Sequence, residues 1–266
     1  MNIFKREIYK NRKSFIVWTI ILLVLSLYVV ALFPTMADQA DRMKDVFKSM
    51  PKAFLDAFNV NKLDMGTILG FFGMEGYLFI TLLGSMYSIL LGAGIISKEE
   101  DEKTIEFLLS KPISRNNILV SKMAATFIYI ILFNLIIVIF NYFEFEAVKR
   151  GNFDKETFLL LSVAPLLIHI TFASIGFLMS MFIVRAKSVL PTSIGIVLGT
   201  YFLGIISAMT DKTENLKYIS PFKYVDAADI ILNKKIDSIY LLIMAIIVFS
   251  CIGATYVIYN KKDIRI

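Results

Sequence analysis

The chain has 266 residues, of which 57% are hydrophobic and only 19% charged, with a net charge of +6. Typical soluble domains are about 45–50% apolar and about 25% charged. The composition therefore excludes a soluble enzyme and a disordered chain. The single cysteine, Cys251, excludes a scaffold held by internal disulfides.

Charged side chains avoid six stretches, each long enough to cross a bilayer. A helix needs about 20 apolar residues to span about 30 Å of hydrocarbon, and none of the stretches alternates in polarity as barrel strands do. We predict an all-α membrane protein with a single transmembrane domain over 1–266. The uncharged stretches are 15–37, 76–97, 123–143, 157–184, 188–210 and 238–260. The predicted spans are 15–33, 67–96, 124–143, 157–184, 189–209 and 238–259.

Six spans place both termini on one side of the membrane, and basic residues directly flank the spans on that side. Lysine and arginine near span ends favour the cytoplasm. We therefore predict that both termini are cytoplasmic, and that the basic excess reflects membrane topology and not nucleic-acid binding. The flanking residues are Lys10, Arg12, Lys13, Arg185, Lys187, Lys261 and Lys262.

The first twelve residues set apolar side chains at helical spacing beside basic ones. This pattern predicts an amphipathic interfacial helix on the inner leaflet, and a plain basic anchor for span one is the alternative. The external segments 38–65 and 210–237 also mix charged and apolar residues, which predicts short helices on the outer surface.

The segment 97–122 reads SKEEDEKTIEFLLSKPISRNNILVSK and lies between spans two and three. A helix over 99–110 would end at Pro112, and Ser114 is a good N-cap for the next helix. On that first helix, Glu102 and Glu106 would be like charges four residues apart, which costs about 0.2–0.5 kcal/mol. A basic partner surface would offset this cost, and a solvated acidic face relieved by Lys103 is the alternative.

The stretch from 92 to 122 resembles the segment between spans two and three of ABC-2 type permeases, the membrane subunits of a class of bacterial ATP-binding-cassette transporters. Asp101 stands where many members have Glu, and Phe107 replaces the usual Leu. The matching residues are Ile96, Ser97, Glu99, Thr104, Glu106, Leu108, Leu109, Ser110, Pro112, Ile113, Ser114, Arg115, Ile118, Leu119 and Lys122.

The resemblance implies a transport subunit of the bacterial cell membrane, most members of the family being exporters. Two permeases would pair as a homo- or heterodimer, and each would bind a cytoplasmic ATPase subunit that supplies ATP and Mg. The loop 97–122 would be the coupling helix, and the turn 185–188 a smaller contact. The implied coupling residues are Glu99, Glu102, Lys103, Thr104, Glu106, Leu109, Pro112, Arg115 and Arg185.

Four residues inside or near the spans carry further hypotheses. Glu75 is the one acid that the sequence places near a membrane segment, and it is part of a substrate path, an interfacial group or a structural partner. His169 lies in the middle of span four and is either a proton relay or a structural group bonded across helices, near a carbonyl freed by Pro165. Gly195 and Gly199 in span five form a small-residue stripe, for either a permease dimer or packing within the chain.

Three functions compete: a permease of an ATP-binding-cassette transporter, a stand-alone secondary transporter or channel, and a membrane-embedded enzyme. No G-x-x-x-x-G-K-[ST] motif occurs, so the chain lacks a P-loop of its own. One histidine and one cysteine cannot build a zinc site, and no internal repeat or set of paired membrane charges indicates a secondary transporter. The permease is the favoured function, with no cofactor bound directly.

Overall fold

The computed structural model describes residues 3–51, 54–55, 59–60, 62–101, 114–183 and 185–262. Six of its helices are long and apolar enough to cross a membrane, which confirms the prediction of six spans. From span one to span six they are Ile3–Asp38, Gly76–Asp101, Arg115–Val148, Lys155–Met179, Ala186–Met209 and Ser238–Lys261.

Three of these spans begin with an N-cap residue whose side chain accepts a backbone hydrogen bond. Ser114 accepts a hydrogen bond from the backbone N–H of Asn117, as its position before span three predicts. Asp154 and Asp237 cap spans four and six in the same way. Each cap satisfies a backbone donor that the helix itself leaves unpaired.

Span one departs from the prediction because it is uninterrupted from Ile3 onward. Neither proline nor glycine, the usual sources of a sharp kink, occurs between Ile3 and Phe33. The basic first turns therefore do not form a helix separate from span one, and that part of the prediction is wrong; their contact with the inner leaflet stays a prediction. The basic first turns continue along the helix axis, and the whole helix of 36 residues is about 54 Å long.

Span two is shorter than predicted because the chain breaks at Glu75. Thr67 caps a separate helix, Ile68–Met74, and span two begins at Gly76. A Cβ at position 76 would lie 2.5 Å from the Phe72 ring. The ring therefore packs against the backbone of Gly76, in space that the side chain of any other residue would fill. The predicted single helix over 67–96 therefore becomes two.

Spans two and four cross closely at the centre of the bundle. A Cβ on Gly92 would lie 2.3 Å from the carbonyl oxygen of Ala173, and one on Gly176 would lie 2.5 Å from that of Ile89. Span four also packs on span six, and span one packs on span three. Spans two and four are the most buried, whereas spans five and six expose most of their apolar surface.

The two ends of the bundle differ. One end, which we call the terminal end, holds the start of span one and the end of span six. The other, the loop end, carries the short helices Ala40–Lys48, Ile68–Met74, Pro221–Tyr224 and Ala227–Asn233 and the 3₁₀ helix Asp211–Tyr218. The helices Ala40–Lys48, Pro221–Tyr224 and Ala227–Asn233 confirm the short helices predicted for segments 38–65 and 210–237, part of the first segment lying outside the described residues. Their position on the outer surface stays a prediction.

Candidate functional site

The described stems of the predicted coupling loop meet the N-terminal helix at the terminal end. Span two ends at Asp101 and span three begins at Arg115, while residues 102–113 lie outside the described part of the chain. The Arg115 guanidinium donates a hydrogen bond to the Lys262 carbonyl oxygen at 2.9 Å. The start of span three is thereby joined to the end of span six.

A group of five charged side chains, which we call the stem cluster, holds these stems to span one. Lys122 Nζ lies 2.6 Å from Glu7 Oε1 and 3.3 Å from Glu99 Oε1. Lys10 Nζ lies 3.3 Å from Glu99 Oε1, and Arg6 lies 3.4 Å from Glu99 Oε2. Spans one, two and three each contribute at least one member, so the cluster ties three helices together.

The stem cluster is desolvated at its centre. The Lys122 and Glu99 side chains are each only 1% exposed, and Glu7 is 5% exposed. Removing one partner of a buried ion pair leaves an uncompensated charge, which costs about 3–5 kcal/mol. The cluster therefore constrains where the two loop stems can lie relative to the N-terminal helix.

The buried position of Glu99 corrects one expectation. At 100° per residue, Glu99 shares one helix face with Glu102, Lys103 and Glu106, and the sequence predicts that this acidic face meets either a basic partner surface or solvent. In the structure both Glu99 oxygens instead face cations of the same chain. The spacing could not show this because span two extends to Asp101 and packs its last turn against span one.

The other predicted coupling residues divide into two groups. Arg185 occupies the N-cap position of span five without a side-chain cap, and its backbone carbonyl accepts a hydrogen bond of 2.9 Å from the Ser188 N–H. The remaining members lie outside the described residues, and their coupling role stays a prediction. They are Glu102, Lys103, Thr104, Glu106, Leu109 and Pro112.

His169 is fully buried between spans two, three and four. Its Nδ1 lies 3.1 Å from Asn134 Oδ1, and its Nε2 lies 3.1 Å from the Ile80 carbonyl oxygen. A Cβ on Gly84 would lie 2.2 Å from Nε2, so this glycine makes room for the ring. The contacts match the structural interpretation, although the carbonyl belongs to span two and is not the one that Pro165 frees.

Glu75 and the glycine stripe of span five lie on open surfaces. Glu75 is exposed at the break before span two. A Cβ on Gly195 or Gly199 would meet nothing within 4 Å, which contradicts packing of this stripe within the chain. The dimer interpretation of the stripe stays a prediction.

The sequence interpretation missed several charged residues. The sequence indicates only a basic segment around Arg6 and Lys10 and gives no role to Glu7, and it marks Lys122 only as the last residue of the loop pattern. Glu144 lies one residue beyond the predicted end of span three. Helical periodicity could have identified these residues. Polar residues recur along span three on the face that carries Lys122, and all of them are buried: Thr126, Asn134, Asn141 and Glu144.

Residues 1–264 match the sequence profile of the ABC-2 family transporter proteins. The chain belongs to this family. The match covers the six spans and the stem cluster, and it supports a transport membrane subunit rather than an enzyme. A search of curated proteins found no match.

Proposed function

We propose that the chain is the permease subunit of an ATP-binding-cassette exporter and that it is driven by a separate cytoplasmic ATPase subunit. Family membership supports a transport subunit. The stem cluster supports coupling through loop 97–122, because three buried charges fix both stems of that loop to span one. Force applied to the loop would then reach span one as well as spans two and three.

The proposed assembly contains two permeases and two ATPase subunits in the bacterial cell membrane, with both termini of the permease in the cytoplasm. ATP and Mg would bind to the ATPase, since the chain has no P-loop. The open face around Gly195 and Gly199 suits close approach of a second permease, because small residues let membrane helices pack closely. A stand-alone transporter is the alternative, and it would need no ATPase.

Topology gives the first test. In a Cys251→Ala background, we expect a cysteine at the exposed loop-end residue Asp41 to react with an impermeant thiol reagent in intact cells. A cysteine at Ser114, at the terminal end, should react only after the membrane is permeabilised. Labelling of position 114 and not 41 in intact cells would reverse the proposed orientation.

Partner binding gives the second test. Purified alone, the chain should not hydrolyse ATP. If a P-loop ATPase is encoded beside its gene, coexpression should allow the chain to copurify that subunit and to increase its turnover in membranes. Glu102→Lys combined with Glu106→Lys should reduce binding or turnover, because reversal of two charges facing a basic surface turns attraction into repulsion.

The matched control for this test reverses two acids that lie far from the terminal end, Asp41 and Asp64. These exposed residues contact Lys44 at the loop end, so their reversal should leave ATPase binding unchanged. If the loop reversal behaves like the wild type in both copurification and turnover, the loop is only a solvated connection and the coupling proposal fails.

A further inference from the structure

Glu144 is a buried acid in the apolar part of the bundle. It lies on span three, is 8% exposed, and approaches Ser26 of span one. Ser26 lies near the middle of the uncharged stretch 15–37. A carboxyl group that reaches Ser26 therefore lies within the hydrocarbon depth of the bundle, although the sequence places it just after an uncharged stretch.

The number of hydrogens available around Ser26 points to a proton on Glu144 when Asn141 presents its amide oxygen to Ser26. Ser26 Oγ lies 2.8 Å from Asn141 Oδ1 and 2.7 Å from Glu144 Oε2. Both distances are those of hydrogen bonds, yet a hydroxyl carries one hydrogen and an amide oxygen carries none. If Ser26 donates to Asn141, the second hydrogen must come from Glu144.

Among the residues that the structure describes, no cation lies within salt-bridge distance of Glu144. Its other oxygen, Oε1, is buried without a hydrogen-bond partner. Charged groups on the same helix and on the neighbouring spans one and four are engaged elsewhere. Three ion pairs account for most of them: Glu146 with Lys149, Asp38 with Arg150, and Asp154 with Lys234. Lys155 lies over the Tyr142 ring. Glu156 makes no described contact with Glu144.

We infer that Glu144 holds a proton inside the membrane. As a neutral acid it donates a hydrogen bond to the Ser26 hydroxyl, which in turn donates a hydrogen bond to Asn141 Oδ1. A buried ionised carboxylate without a partner is far more costly than the neutral acid. The hydrogen bond that this proton makes thus links span three, which carries Glu144, to span one, which carries Ser26. The inference concerns the permease chain alone and does not depend on the proposed ATPase.

A change in the packing of the two spans would release this proton. If span one moved away from span three, the Glu144 O–H···Ser26 hydrogen bond would break and the carboxyl group could meet water. In water a glutamic acid ionises at neutral pH: its O–H bond breaks, the electron pair stays on the carboxylate, and the proton passes to water. Return of span one to span three would require that a proton be taken up again.

Infrared spectroscopy of the purified full chain in lipid nanodiscs tests the inference. At neutral pH we expect the carbonyl stretching band of a protonated carboxylic acid, shifted in D₂O and lost in Glu144→Gln. Glutamine keeps the shape of the neutral acid and offers an N–H to Ser26, so this variant should fold. Glu146→Gln, which removes a partly exposed acid two residues away, should leave the band unchanged.

A second variant gives an independent result. Ser26→Ala removes the acceptor of the Glu144 proton, so the band should remain but move to the position of an acid with no hydrogen bond. A wild-type spectrum without the band, or a band that persists in Glu144→Gln, would overturn the inference. Absence of the band would mean that Asn141 donates its amide hydrogen to Ser26 and that Glu144 is ionised. A band that Ser26→Ala does not move would also overturn it.

Discussion

Lys122→Met should destabilise the folded chain by about 3–5 kcal/mol, because it leaves two buried carboxylates without their shared cation. Lys122 Nζ is the only described cation within salt-bridge distance of Glu7, at 2.6 Å, and it also contacts Glu99 at 3.3 Å. Methionine fills a similar volume but carries no charge. The measurement is thermal or denaturant unfolding of the purified chain in a mild detergent.

The matched control is Lys149→Met, which breaks a partly exposed pair with Glu146. Pairs of that kind contribute about 0–1 kcal/mol, so its effect should be several times smaller. The double variant Glu7→Gln with Lys122→Met should recover part of the lost stability, because it no longer buries an unpaired Glu7 carboxylate. Equal effects at Lys122 and Lys149 would show that the stem cluster is not desolvated in the membrane.

Some of the fold could be predicted from sequence because membranes impose simple local rules. Uncharged stretches of sufficient length must become helices, and all six did. The cap at Ser114 was equally local, since it depends on one side chain and the backbone three residues later. Such features require no knowledge of which helices are neighbours.

Features that depend on neighbours were not predictable in this way. The sequence predicts that Glu99 faces a partner or solvent, because its own helix gives no sign that Arg6 and Lys10, about ninety residues earlier, pack against it. The sequence singles out Glu75 as the acid near a span, whereas the structure buries Glu144. Only the contact with Ser26 reveals how deep Glu144 lies in the bundle. For both residues, partners distant in sequence determine the environment.

Gly92→Ala should be the most damaging substitution of a glycine inside the spans. The new Cβ would lie 2.3 Å from the Ala173 carbonyl oxygen and 3.2 Å from the backbone nitrogen of Phe177. These are backbone atoms of span four and cannot rotate away as a flexible side chain would. Overpacking of this kind costs about 1–3 kcal/mol, occasionally more, so the gain of up to about 1 kcal/mol from alanine's helix propensity should be outweighed.

Gly253→Ala provides the matched control, since it makes the same chemical change in the interior of span six where a Cβ meets nothing within 4 Å. Only the propensity gain applies there, so the control should unfold at the same temperature as the wild type or higher. Gly176→Ala should resemble Gly92→Ala, because its Cβ would lie 2.5 Å from the Ile89 carbonyl oxygen on the other side of the same crossing. If Gly92→Ala and Gly176→Ala unfold like Gly253→Ala, spans two and four do not approach this closely and the centre of the bundle is packed differently.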